Sequence, residues 1–167
     1  MNTVTRIGLA EMLVAGLNRF VEILVGMGYG LLVVLIGAAV FFRYVVNDSI
    51  VWAEELARYL FVWITFLGAA LGVGRNVHVG VDFFSSRLHG RMQHLLALAT
   101  YLAIAIFLVV LFYCGMELSL FGLRSSSMLL GVPMFFVYIA VPIGSFVMLA
   151  NVGMQLLSLF KERGERN

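Results

Sequence analysis

The sequence predicts an all-α membrane protein with four transmembrane helices. Of its 167 residues, 62% are apolar and 12% are charged, and a soluble domain of that composition would expose large apolar patches to water. Four runs lack Asp, Glu, Lys and Arg, and each can form one helical crossing of a hydrocarbon core about 30 Å thick. The runs cover residues 23–42, 59–74, 92–116 and 125–160.

Helices rather than strands are expected because a spanning backbone must satisfy its own hydrogen bonds, and the alternating pattern of a barrel strand is absent. The chain is predicted to form a single membrane domain over residues 1–167. The predicted spans cover about 21–43, 56–75, 91–116 and 133–160, and amphipathic interfacial segments are predicted at about 5–20, 48–58 and 82–91.

The segment before the first span mixes charged and apolar residues near helical spacing. Arg6, Glu11, Arg19 and Glu22 alternate with leucines, as in a helix that lies in the membrane interface. A loosely ordered tail is the alternative. The first apolar run is too long for a signal peptide and no small-residue cleavage site follows it, so we expect this helix to be retained.

The distribution of basic residues predicts cytoplasmic N and C termini. Lys and Arg near the ends of spans set orientation, and they are enriched on the cytoplasmic side. The N-terminal segment, the 75–91 connector and the C-terminal tail together hold eight of the eleven basic residues. The other three are Arg43, Arg58 and Arg124, which places their connectors on the opposite side.

Glycines in the first two spans are candidates for helix packing. Gly26 and Gly30, and likewise Gly68 and Gly72, stand four residues apart, the spacing that lets helix backbones approach closely in lipid. Glycine is also frequent in membrane helices in general, so this spacing alone leaves both readings open.

The start of the second span combines aromatic and charged residues. Trp52, Leu56, Tyr59 and Trp63 fall on one helical face. Glu54, Glu55 and Arg58 lie away from this stripe, and Asp48 or Ser49 can cap the helix. An aromatic belt with one surface ion pair would explain the pattern. A docking surface for a partner is the functional interpretation.

The connector after the second span carries Arg75, His78 and Asp82. His78 and Asp82 are four residues apart, but two ligands are too few for a closed metal site, so no metal is predicted. Asp82 is expected to cap a short amphipathic helix whose basic residues meet anionic headgroups. His78 is then a polar contact on the cytoplasmic side.

Two prolines punctuate the last apolar run. Pro133 suits the first turn of the last helix, where its missing N–H is not needed. Pro142 lies further inside the run, where a kink is expected.

The charge pattern disfavours a self-sufficient transporter. No acid lies within the four runs, whereas ionisable residues inside spans usually mark a transport pathway. A membrane anchor of a quinone or haem redox complex is the alternative function, but His78, His89 and His94 all cluster at one end of the second and third spans, away from the bundle interior where haem ligands lie. No cofactor and no nucleic-acid partner is predicted.

Four motifs in order resemble the small membrane subunit of tripartite ATP-independent periplasmic (TRAP) transporters, the DctQ-type family. They are WAEELARYLFVW at 52–63, FLGAA at 66–70, R-x-x-H-V-x-V-D at 75–82 and P-x-x-x-x-Y-x-x-x-P-I-G at 133–144. The resemblance extends over the whole chain in length, span count and motif order.

The resemblance implies a non-catalytic scaffold in the bacterial inner membrane. It implies a large multi-span partner subunit that holds the substrate and sodium sites, and a periplasmic binding protein that delivers organic acids such as C4-dicarboxylates or sialic acid. Membrane lipids are further contacts. Carried over to this sequence, the family's partner contacts fall on Trp52, Glu54, Glu55, Arg58 and Trp63 towards the periplasm. On the cytoplasmic side they fall on Arg75, His78 and Asp82.

Overall fold

A computed structural model describes the backbone of residues 2–75 and 91–165 and the side chains of residues 11–75, 92 and 95–157. Five α-helices form this part of the chain: α1 (Asn2–Phe41), α2 (Val51–Gly74), α3 (Arg91–Gly122), α4 (Phe135–Tyr138) and α5 (Ala140–Glu165). Helices α1, α2 and α3 and the α4–α5 segment are each long and apolar enough to cross a bilayer. The predicted all-α fold with four spans is confirmed.

Helix α1 continues through the segment where an interfacial helix was expected. No break separates residues 5–20 from the first span, since α1 runs unbroken from Asn2 to Phe41. The helix then widens into one π-helical turn, Phe42–Val46. Asn47 follows with a left-handed backbone (φ 57°), and its N–H bonds to the Phe42 carbonyl. Asparagine tolerates this conformation, so it can end the helix much as glycine does.

Helix α2 begins at Val51 without a side-chain cap. Its N-cap is Ile50 rather than Asp48 or Ser49, and no side-chain hydrogen bond caps the helix. Most of the amphipathic segment predicted at 48–58 is therefore the first turns of α2 itself. Residues 82–90, which contain most of the other predicted amphipathic segment, lie outside the described residues.

The last apolar run is broken ahead of Pro142 instead of being kinked at it. The short helix α4 ends at Tyr138 and α5 starts at Ala140, which places Pro142 in the first turn of α5. At that position the missing N–H removes no internal hydrogen bond. Pro133 lies before α4, so the expectation that it occupies the first turn of the last helix is wrong, and Pro142 occupies the first turn of α5 instead.

The spans are arranged with α5 at the centre. Helix α2 packs between α1 and α5, and α3 packs against α5 from the other side; α1 and α3 do not touch within the described residues. Half of the α4–α5 span is buried, compared with 6% of the α1 and α3 spans. Broad apolar faces of α1 and α3 are therefore exposed.

One apolar cluster joins all four spans. Its buried members are Val21, Leu67, Ala70, Leu108, Val147, Met148 and Val152. Lipid tails are as apolar as these side chains, so burial in a bilayer gives little driving force for helix association. Close packing and hydrogen bonds between helices must then fix the arrangement, and most of these hydrogen bonds lie towards the two ends of the bundle.

Candidate functional site

The start of α2 meets the connector between α3 and α4 at one end of the bundle, called here the Glu55 end. The connector (123–134) folds back on itself as a tight loop. Ser127 N–H donates to the Val132 carbonyl over 2.9 Å, and Met134 N–H donates to the Ser125 carbonyl over 2.9 Å. Gly131 has φ +66°, a conformation that glycine adopts without steric cost.

Glu55 binds this connector within its own chain. Its side chain is buried, and one carboxylate oxygen accepts hydrogen bonds from the backbone N–H groups of Leu129, over 3.1 Å, and Leu130, over 3.3 Å. The Tyr59 hydroxyl donates to the other oxygen. The Ser127 hydroxyl accepts a further bond from the Leu130 N–H at 3.1 Å. The Glu55 carboxylate thus accepts charge-assisted hydrogen bonds from two adjacent backbone amides and holds the connector in place.

Glu54 has a different partner from its neighbour. Its carboxylate forms an ion pair with Arg43, in the π-helical turn that ends α1. Arg58, one turn along α2 from Glu54, is exposed. The pair therefore joins the end of α1 to the start of α2, whereas spacing alone suggested a pair within α2. The two adjacent glutamates serve separate contacts, one towards α1 and one towards the connector.

The two tryptophans of the predicted aromatic stripe also differ in environment. Trp52 is about half exposed at the Glu55 end. Trp63 packs against the apolar cluster, and its indole N–H donates to the Phe136 carbonyl over 2.9 Å. Trp63 therefore ties α2 to α4, while Trp52 and Arg58 remain available on the surface.

The tip of the connector presents exposed apolar side chains. Met128 is 98% exposed and Leu129 is 53% exposed, although the backbone of the tip is anchored by Glu55 and Ser127. Because the backbone of the loop is anchored, its apolar side chains are held in a defined position. They can therefore make a specific contact at the membrane boundary or with a partner.

The opposite end of the bundle, called here the Asn151 end, contains buried amides. Asn18 of α1 and Asn151 of α5 donate to each other's side-chain oxygens over 2.7 and 3.0 Å. The Asn151 amide also donates to the Ala70 carbonyl of α2 over 3.3 Å. One α5 turn on, Gln155 donates to the Val73 carbonyl over 2.6 Å. These bonds join α1, α2 and α5 in an apolar surrounding, where amide pairs hold helices together.

An ion-pair cluster lies at the surface of this same end. Arg75, directly after α2, contacts Glu22 of α1 over 2.8 Å, and Arg19 contacts the other Glu22 oxygen over 3.5 Å. Arg75 therefore has an intrachain partner. His78 and Asp82, the other two predicted contacts, lie outside the described residues, and so does His89. Only the backbone of His94 is described.

The glycines predicted to pack make no close contacts with the described residues of this chain. A Cβ added at Gly26, Gly30, Gly68 or Gly72 would meet no described atom within 4 Å. Close approach occurs instead at Gly144 of α5, where a Cβ would lie 3.0 Å from the Phe66 carbonyl oxygen. Packing of the four predicted glycines against another chain stays a prediction.

The amide cluster has a sequence signal that the pattern of charged residues does not contain. Asn151 and Gln155 are four residues apart in an otherwise apolar run, and this spacing puts both amides on one helical face. Polar residues on one face of a membrane helix indicate hydrogen bonding to another helix. That signal could have identified α5 as the central helix.

The chemistry of both ends is that of structural contacts. The Glu55 carboxylate and the Asn18 and Asn151 amides are satisfied by groups of the same chain. Among the described residues, no group of three or more His, Cys, Asp or Glu side chains could hold a metal ion. What the described surface offers to other molecules is apolar area along α1 and α3, together with Trp52, Arg58 and the connector tip.

Comparison with known proteins gives consistent relatives. The chain is 37% identical over 102 residues to the C4-dicarboxylate TRAP transporter small permease protein DctQ of Rhodobacter capsulatus, covering 60% of this chain and 45% of that protein. It is 26% identical over 119 residues to the sialic acid TRAP transporter small permease protein SiaQ of Vibrio cholerae, covering 71% and 69%. The matched part thus spans less than half the length of the Rhodobacter protein.

A third relative is a much longer permease. Over 56 residues the chain is 32% identical to the sialic acid TRAP transporter permease protein SiaT of Haemophilus influenzae, covering 34% of this chain and 9% of that protein. The sequence profile described as "Tripartite ATP-independent periplasmic transporters, DctQ component" matches residues 32–162. Since that range covers most of the sequence, including the second, third and fourth spans and the last part of the first, the chain belongs to the DctQ component family of TRAP transporters.

Proposed function

We propose that this chain is the non-catalytic membrane scaffold of a TRAP transporter that imports organic acids with sodium. On this proposal the large multi-span subunit carries the substrate and the sodium ions, and a periplasmic binding protein delivers the substrate. Relatives named for C4-dicarboxylate and for sialic acid support a carboxylate substrate. The match to a small part of a much longer permease supports a permanent partnership with a large subunit.

The observation that carries this proposal is the exposure of α1 and α3 along their spans. Half of the α4–α5 span is buried, but only 6% of the α1 span and 6% of the α3 span are buried. The other spans therefore pack around α5, while the outer faces of α1 and α3 remain exposed. In a bilayer such flanks contact lipid or another membrane protein. A packed helix bundle with exposed apolar faces can serve as the stationary subunit against which a larger subunit moves.

The proposed orientation follows from the basic residues. The Asn151 end and both termini face the cytoplasm of the inner membrane, and the Glu55 end faces the periplasm. Trp52, Arg58 and the connector tip then form the periplasmic contact surface. Glu54, Glu55 and Trp63 act on that surface indirectly, because each is bound within the chain. Arg75, His78 and Asp82 are proposed to contribute on the cytoplasmic side.

Reconstitution in liposomes tests the scaffold role. We expect uptake of a labelled dicarboxylate or sialic acid only when this chain, the large subunit, the binding protein and an inward sodium gradient are all present. Uptake by this chain alone would contradict the proposal. Full uptake by the large subunit without this chain would contradict it as well.

Copurification tests the contact surface. Arg58→Glu and Trp52→Ala should reduce the amount of large subunit or binding protein that copurifies, while the protein still inserts. Glu11→Arg, a charge reversal at an exposed site at the opposite end and outside the Arg19–Glu22–Arg75 cluster, is the control. Wild-type assembly and transport by both variants would remove Trp52 and Arg58 from the interface.

A further inference from the structure

A cavity of about 300 Å³ lies between the end of α1 and the start of α2. Small and branched apolar side chains form its walls: Ile36, Ala39 and Val40 from α1, and Ala53 and Ala57 from α2. Arg43 and Glu54, which form an ion pair with each other, complete the lining, and their side chains are 49% and 53% exposed. The cavity is therefore an apolar slot with one basic and one acidic group at its open side.

The position of the cavity restricts what can fill it. Both helices that form it are spans, and it lies where α1 gives way to the polar connector. In a bilayer this depth corresponds to the boundary between acyl chains and headgroups, where amphipathic groups concentrate. Three alanines among the lining residues keep the slot open. Its volume is at the lower limit of small-molecule sites, which start at about 300 Å³.

The charges at the open side select the kind of ligand. A purely anionic headgroup would be attracted by Arg43 but repelled by Glu54. A purely cationic headgroup would be attracted by Glu54 but repelled by Arg43. A headgroup with a phosphate and an ammonium next to each other can give each member of the Arg43–Glu54 pair a second partner of opposite charge, since Arg binds phosphate well and a carboxylate accepts from ammonium.

We propose that this cavity binds one phospholipid with a zwitterionic headgroup. The phosphate lies on the Arg43 guanidinium, the ammonium lies on the Glu54 carboxylate, and one acyl chain occupies the slot beside Ala39 and Ala57. The lipid would fill the gap between the ends of α1 and α2 and act as part of the Glu55 end. This site rests on the cavity and its two charged residues and does not depend on the proposed transport function.

Native mass spectrometry of the delipidated full chain tests the site. The probes are palmitoyl-oleoyl phosphatidylethanolamine, which is zwitterionic, and palmitoyl-oleoyl phosphatidylglycerol, which is anionic. We expect one phosphatidylethanolamine to be retained more tightly than phosphatidylglycerol. Glu54→Gln should weaken phosphatidylethanolamine binding about five- to tenfold and remove this preference, as expected for the loss of one charged hydrogen bond.

Two pairs of variants distinguish this site from non-specific lipid binding. In the first pair, Ala57→Leu fills the slot and should reduce lipid binding without changing charge, whereas Ala69→Leu alters an exposed alanine further along α2 and should leave lipid binding unchanged. In the second pair, Glu22→Gln is the control for Glu54→Gln, because it removes an ion-paired carboxylate at the opposite end and should leave lipid binding unchanged. Circular dichroism and gel filtration verify that each variant is folded. Equal binding of both lipids, unaffected by Glu54→Gln and Ala57→Leu, overturns the proposal.

The same measurement on the chain copurified with its large subunit identifies the occupant. Retention of one phosphatidylethanolamine in the complex, sensitive to Ala57→Leu, supports the lipid site. If a cysteine placed at Ala57 cross-links to the large subunit and no lipid is retained, a helix of that subunit fills the slot and the lipid proposal is wrong.

Discussion

Adjacent residues of the Trp-Ala-Glu-Glu motif have separate physical roles. Glu55 is buried and receives two backbone amides of the connector, while Glu54 is half exposed and pairs with Arg43. Successive residues on a helix point about 100° apart, so one glutamate faces α1 and the other faces the α3–α4 connector. The two adjacent glutamates of α2 therefore connect this helix to the segment that follows α1 and to the α3–α4 connector.

Replacing Glu55 should release the connector. In Glu55→Ala the Leu129 amide loses its carboxylate acceptor, while Leu130 keeps only the Ser127 hydroxyl. Hydrogen exchange followed by mass spectrometry should then show faster exchange across 127–132 and a lower melting temperature. Glu54→Ala is the control, because it removes a neighbouring charge that does not touch the connector. Unchanged exchange at Leu129 in Glu55→Ala would contradict this role.

The Asn18–Asn151 pair should make a measurable contribution to stability. Each amide donates to the other, and a hydrogen bond between membrane helices contributes about 0.5–1.5 kcal/mol. A double-mutant cycle with Asn18→Ala and Asn151→Ala, followed by unfolding in mixed detergent, should give a coupling energy in this range.

Thr100→Val is the matched control for this cycle. The Thr100 hydroxyl donates to the Leu96 carbonyl within α3, so its loss should not couple to either asparagine. A coupling energy of zero between Asn18 and Asn151 would show that the amide pair does not hold α1 against α5.

At the scale of the elements, the contact between α2 and α5 depends on a missing side chain. A Cβ at Gly144 would lie 2.8 Å from the Phe66 Cβ and 3.0 Å from its carbonyl oxygen. Since the carbonyl belongs to the backbone, α5 would have to move away from α2. This contact lies two residues after Pro142, where α5 begins its first regular turns.

Gly144→Ala should therefore destabilise the protein. Overpacking of this kind costs about 1–3 kcal/mol, measured as a loss of unfolding free energy in detergent. Gly68→Ala, in α2 itself, is the control, because an added Cβ there meets no atom within 4 Å. Equal stability of the two variants would mean that α2 and α5 can separate without cost.

At the scale of the whole molecule, the helices form an array with exposed flanks. Among the described residues, α5 contacts every other span and α1 and α3 do not touch. Ion pairs lie at the two ends, and one apolar cluster joins all four spans. The fold is thus held by contacts within the chain, which leaves the exposed α1 and α3 faces free for lipid or for a second protein.

A bulky residue on the open face of α1 should affect assembly but not folding. Gly30 is exposed and an added Cβ would meet nothing within 4 Å, so Gly30→Leu should keep the wild-type melting temperature of the isolated chain. If α1 packs on the large subunit through its small-residue face, less large subunit should copurify. Val34→Ala, on the same exposed helix, is the control. Wild-type copurification with Gly30→Leu would place the partner on another face.

The sequence by itself determined the class of the protein, the number of spans and the family. Charge-free runs of membrane-spanning length and four ordered motifs can be read from the sequence without knowledge of the tertiary structure. The runs become helices because a backbone in lipid must satisfy its own hydrogen bonds. The sequence also located the polar segment at the start of α2, where Trp52, Glu54, Glu55 and Arg58 stand.

Only the tertiary structure decided which of these residues are bound within the chain and which face outward. Spacing along a helix shows that Glu54 can reach Arg58, but it does not show that Arg43, eleven residues earlier, is closer. Likewise, the close approach of α5 to α2 at Gly144 is not visible in the glycine spacing, and the Asn18–Asn151 bond joins residues 133 positions apart. Contacts of that separation depend on how the helices are arranged, because apolar helices in lipid have many surfaces of equal hydrophobicity and only specific packing and hydrogen bonds choose among them.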